Sequence, residues 1–213
     1  MDLSKVKLGI YDFLSIALPG LLAVAEGWVL LRGWSQFIYS MSHISGAGLT
    51  LLLVFAFGIG HIVQELGDVA IRALKGKHYL RSARDGFWKS EEADNVKEAI
   101  RKESGHEISS VDAAFDYCLT KLEGHFEKRD VFVATSDLCR SLVVLSFLSI
   151  APVFRVAFRD VSPCRESIEV LIAALVLLAA IGTLAWRRMM RFRELSEVTV
   201  FRAYLAVAPD SHQ

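Results

Sequence analysis

The stretch GWSQFIYSMSHISGAGLTLLLVFAFGIGHIVQ, residues 33–64, holds no Asp, Glu, Lys or Arg. A second stretch, VLIAALVLLAAIGTLAW at residues 170–186, holds none either. About 18 apolar residues in a helix cross the ~30 Å hydrocarbon layer of a bilayer. A backbone in lipid must satisfy its own polar groups, so both stretches are read as helices. The wider composition agrees: 53% of residues are hydrophobic and the mean hydropathy is +0.38. These residues come in blocks rather than at the spaced positions of a soluble domain. The expected fold class is all-α: a polytopic membrane protein with four transmembrane helices and a small helical cytoplasmic domain.

Working outward, the spans fall at residues 10–31, 46–63, 142–158 and 168–186. The first contains Pro19-Gly20, expected to break or kink it locally, and one charge, Glu26. The third is short between Arg140 and Arg155, whose long side chains can snorkel from its ends. The chain thus divides into residues 10–64 (first two spans), 65–137 (a polar helical segment), 138–186 (last two spans) and 187–213 (a C-terminal helix and tail).

Charge sets the expected orientation. Lys5 and Lys7 precede span one. Arg72, Lys75, Lys77, Arg81 and Arg84 follow span two, and Arg187, Arg188, Arg191 and Arg193 follow span four. The loop at residues 33–45 has no Lys or Arg. The positive-inside rule then puts both termini and the middle segment in the cytoplasm. Trp28, Trp34 and Trp186 sit near span ends, where indoles favour the interface. The N-terminal stretch lacks a signal-peptide cleavage pattern, and no fixed-period repeat is visible.

In the middle segment, Val111, Phe115, Cys118, Leu119 and Leu122 recur at helical spacing, with Ser109 or Ser110 as candidate cap. Residues 91–104 read as a polar helix stopped by Gly105. After span four, Leu195, Val198, Phe201, Tyr204 and Leu205 form one apolar stripe, expected to pack on the middle segment.

Catalytic patterns are absent: there is no G-x-S-x-G, P-loop, H-E-x-x-H or EF-hand loop. The six histidines have no metal-ligand spacing, and the three cysteines form no C-x-x-C. Neither an enzyme, a metal nor a cofactor is expected. A net charge of zero argues against a globally basic nucleic-acid binder.

Four features can carry function, and each also has an ordinary structural role. Glu26 either rings the outer mouth of a pore or meets headgroups or Arg32 at the interface. His61, Gln64 and Glu65 close span two, with His61 and Glu65 four apart on one face; they either line an inner vestibule or gate, or pack and solvate. Ala23 and Gly27, and Ala56 and Gly60 beside Gly58, allow close helix approach or a hinge. The basic stretch Arg72, Lys75, Lys77, Tyr79, Arg81, Arg84, Trp88 and Lys89 interleaves cations with aromatics. It either holds a nucleotide or single-stranded oligonucleotide, or orients the chain and meets anionic lipid.

Tyr11-Asp12-Phe13, Pro19-Gly20, Gly60-His61, Arg140-Ser141 and the basic-aromatic helix from Arg187-Arg188 to Phe201-Arg202 resemble motifs of a group of small bacterial inner-membrane proteins encoded beside defence genes. The chain is also similar to the channel-forming effectors of the Hailong anti-phage system. That resemblance implies an oligomeric inner-membrane channel that depolarises an infected cell. It also implies control by a nucleotide-derived oligomer, with a nucleotidyltransferase partner in the same operon. The alternative expectation is a non-conducting anchor or scaffold that recruits a cytoplasmic partner through the Leu195, Val198 and Phe201 stripe.

Overall fold

A computed structural model describes residues 3–75, 79–122, 127–160 and 165–207. Nine α-helices and one π-helical turn account for its regular structure, with no strand among the described residues. They are α1 (Leu3–Arg32), α2 (Trp34–Ser42), α3 (Gly46–Lys75), α4 (Tyr79–Trp88), α5 (Glu91–Ser104), α6 (Val111–Lys121), α7 (Glu127–Leu148), α8 (Ile150–Arg155), the π turn Val156–Asp160 and α9 (Arg165–Val207). Four segments are long and apolar enough to cross a membrane: Phe13–Arg32, Gly46–Leu74, Arg129–Phe158 and Ile168–Val207. The third is the span that looked short in sequence. It gains length because Arg140 lies inside its helix and because α8 and the π turn carry it on past Ser149.

The exposed surface fits lipid. Among the described residues, the large apolar side chains left exposed lie between Phe13 and Leu74 or between Phe147 and Leu184, apart from Val207 at the end of α9. Such an unbroken apolar belt belongs against hydrocarbon rather than water.

The helices alternate in direction. Gly20 of α1 lies on Ala56 and Gly60 of α3, while Ile16 meets Gly60, so these two run antiparallel. Glu26 meets Ser149 and Leu30 meets Arg155, so α1 and the third span run parallel. Ser136 Oγ donates to the Met189 carbonyl at 3.2 Å, whereas Ser146 faces Gly182 ten residues on, so α7 and α9 are antiparallel. One end of the bundle therefore gathers the start of α1, the end of α3, the start of α7 and the C-terminal half of α9.

Proline and glycine act differently from the sequence expectation. α1 runs unbroken through Pro19. A Cβ on Gly20 would stand 1.7 Å from the Ala56 carbonyl oxygen, so this glycine permits a backbone crossing rather than a break. Residues 33–45 are not simply a loop, since residues 34–42 form α2. Gly33, at φ 92°, turns the chain into it.

Beyond the bundle, α4 to α6 wrap the end of α9 around a second core. Phe201, fully buried, stacks on Phe87 with ring centroids 4.9 Å apart and meets Phe115 edge-on at 5.7 Å. Val96, Ile100, Cys118 and Leu122 complete the centre. The C-terminal stripe thus packs on the middle segment, with Val200 rather than Leu195 among its buried members. Gly105 closes α5 in the left-handed conformation at φ 72°, as a glycine C-cap does. Ser110 precedes α6 without a side-chain cap bond.

Candidate functional site

α3 presents two contrasting faces. Gly60 and Gln64 turn inward. A Cβ on Gly60 would lie 2.0 Å from the Ile16 carbonyl oxygen, and Gln64 Nε2 donates to the Ser15 carbonyl at 3.1 Å. Gly58, His61 and Glu65 turn outward and are exposed, with nothing within 4 Å of a Cβ placed on Gly58. His61 meets Phe57 edge-on at 4.9 Å on this same face. At 1.5 Å per residue, His61 lies about 22 Å along the helix from Gly46, and Glu65 about 28 Å. If Gly46 marks one boundary, both remain within the ~30 Å hydrocarbon thickness. Of the five residues the sequence grouped at this helix end, the structure brings His61 and Glu65 together with Gly58. It assigns Gly60 and Gln64 to the contact with α1.

Glu26 faces inward as well. It is half-buried in a cavity of about 660 Å³ between α1, the α7–α8 junction and α9. Its Oε1 accepts from the Ser149 hydroxyl, not from Arg32, and its Oε2 is buried without a hydrogen-bond partner. An outer pore ring built from Glu26 would need this side chain to leave that cavity.

The basic stretch is divided. Arg84 is drawn into the second core. Its Nε donates to Glu197 at 2.7 Å, its Nη1 to Asp112 at 3.2 Å, and its guanidinium carbon lies 3.7 Å from the Phe115 ring centre. Trp88 packs beside Phe201 at 5.8 Å and under Lys97 at 5.1 Å. Arg84 and Trp88 are therefore held by the protein's own side chains. Arg72 remains largely exposed, 3.8 Å from Asp68, and Lys89 is exposed. Lys77 lies outside the described residues, as do the side chains of Lys75, Tyr79 and Arg81.

Sequence inspection missed a charge cluster where α3, α7 and α9 meet. The Arg140 guanidinium, only 10% exposed, joins Asp68 and reaches Asp137 at 3.2 Å, and Arg193 approaches Asp137 at 3.6 Å. Gly67 makes the room, since a Cβ there would meet Arg140 Cγ at 2.6 Å. The signal available in sequence was Arg140 itself, a cation at the head of an apolar run; its partners are 72 and 3 residues away.

In the second core, Glu103 accepts from the Tyr204 hydroxyl at 2.7 Å and pairs with Lys121. The Lys121 ammonium and then the Tyr204 hydroxyl hold the Glu103 carboxyl below its ordinary range. Burial pushes the Cys118 thiol up to about 12. Among the described residues no three His, Cys, Asp or Glu side chains stand together as metal ligands would. Comparison of the chain with protein-family models, with curated proteins and with solved structures gave no match.

Proposed function

We propose that the chain is the subunit of an oligomeric, ligand-controlled ion channel in a bacterial inner membrane, with both termini and the α4–α6 domain in the cytoplasm. The observation that carries this reading is the outward face Gly58, His61 and Glu65. Ionisable side chains facing lipid are costly, and in membrane proteins they face partners or water. Copies arranged with α3 toward a common axis give His61 and Glu65 a water-filled path, and a ring of Glu65 carboxylates favours cations.

Control is supported by α9. Its 43 residues extend about 64 Å at 1.5 Å per residue, roughly twice the hydrocarbon thickness. One helix thus joins the bundle to the core around Phe201, so a change of packing in the domain reaches the spans mechanically. A phosphate-rich ligand, a nucleotide or short oligonucleotide, meets the cations not already held: Arg72 and Lys89, with Lys75, Lys77, Tyr79 and Arg81 beside them. The role in anti-phage defence, with a nucleotidyltransferase as operon partner, rests on the sequence resemblance. The scaffold reading loses its proposed surface, because Phe201 and Val200 of that stripe are buried within the chain.

Ion flux from dye-loaded liposomes carrying the purified protein, with and without nucleotide oligomers, tests the proposal. Flux that changes with ligand supports it. No flux under any condition, from protein shown to be folded and inserted, replaces it with the anchor or scaffold.

A further inference from the structure

The cavity around Glu26 has a chemistry that the channel reading does not use. Leu22, Val29, Val153, Leu171 and Leu178 give it apolar walls, and Glu26 is its single ionisable group. Trp34, 54% exposed, adds an indole to its lining. The carboxylate is half satisfied: Ser149 donates to Oε1, and Oε2 is buried with no donor. A buried carboxylate oxygen without a partner is costly, and the natural remedy is a cation or an N–H donor at the same point. A volume of about 660 Å³ lies in the range of small-molecule sites, which combine apolar walls with a few placed polar groups. An indole near a cation adds attraction to its π face.

From this geometry we infer that the cavity between α1, α8 and α9 is a binding site for a hydrophobic ammonium, its apolar body against the Leu and Val walls and its charge on Glu26 Oε2. The ammonium comes either from a free organic amine or from an aminophospholipid headgroup. The site lies within one subunit, so it does not depend on pore formation.

The test uses the full chain in phosphatidylcholine nanodiscs, with 4-phenylbutylammonium as probe, 4-phenylbutanol as its neutral match, and protein-free nanodiscs to subtract partitioning. Saturable binding of the ammonium is expected, weakened at least tenfold by Glu26→Gln, while the alcohol is indifferent to that change. Ala174→Trp, which fills the cavity from α9, is expected to abolish binding of both probes. Circular dichroism on each variant verifies folding. Competition in discs containing phosphatidylethanolamine identifies the lipid amine as the source, and its absence identifies a free amine. Ammonium binding that is unsaturable, or equal in wild type and Glu26→Gln, overturns the inference. Binding untouched by Ala174→Trp also overturns it by moving the site elsewhere.

Discussion

Gly20→Ala tests the architecture with the smallest possible change. The added methyl would stand 1.7 Å from the Ala56 carbonyl oxygen and 2.8 Å from the Gly60 nitrogen. Ordinary contact begins near 3.4 Å, so α1 and α3 must part by roughly 1.7 Å at their crossing. No flexible side chain can give way, because the obstructing atoms are backbone. Overpacking a close contact costs about 1–3 kcal/mol. In lipid the loss is felt directly, because helix association there depends on packing rather than on hydrophobic exclusion. Gly58→Ala is the matched control on the same helix pair, with nothing within 4 Å of its new methyl. Alanine also favours a helix over glycine by about 1 kcal/mol. Reversible unfolding in mixed micelles, followed by circular dichroism, should therefore rank Gly58→Ala at or above wild type and Gly20→Ala about 2 kcal/mol or more below it. Gly60→Ala should fall with Gly20→Ala, since its methyl meets the Ile16 carbonyl oxygen at 2.0 Å. Equal stability of Gly20→Ala and Gly58→Ala would refute the crossing.

Arg140→Ala leaves Asp68 and Asp137 facing each other beside α7 and should cost about 3 kcal/mol in the same assay, whereas removing both Arg140 and Asp68 in an apolar double variant should cost less. Arg84→Ala should lower the thermal midpoint of the full chain and Lys89→Ala should leave it unchanged, because the first cation bonds Glu197 and Asp112 and the second is exposed. Glu103 is held below its unfolded value of about 4.3, so its linkage stabilises above that pH and is lost as pH falls through the folded value. The advantage of wild type over Glu103→Gln in melting temperature should accordingly shrink between about pH 6 and pH 3. Cys118, buried and with its thiol raised to about 12, should resist alkylation near pH 8 in the folded protein and react after unfolding, measured by mass shift in a Cys164→Ser background.

Much of the fold was legible because membrane insertion is a one-dimensional problem. Charge-free runs such as residues 33–64 announce their helices by length alone, and the stripe around Phe201 announces a soluble core by its period. The pairing of helices was less legible. Glycines at four-residue spacing signal close approach, but Ala23 and Gly27 carry the same spacing as Ala56 and Gly60, and it is Gly20, beside a proline, that meets α3. Facing direction was illegible for a related reason. His61 and Gln64 are three residues apart, yet one points outward and the other bonds α1, since a helix divides neighbours between faces and sequence does not say which face is covered. The long-range ion pairs were beyond reach as well. Arg84 read as a free ligand-binding cation because its partner Glu197 lies 113 residues away.

Substituted-cysteine block tests most directly that the outward face of α3 lines a water path. In a cysteine-free background, His61→Cys and Glu65→Cys are reconstituted for flux and exposed to a charged, membrane-impermeant thiol reagent, beside Val54→Cys on the apolar part of the same helix. A path along α3 predicts that both polar-face variants lose flux on modification while Val54→Cys does not. Flux that survives full modification of His61→Cys and Glu65→Cys would contradict it.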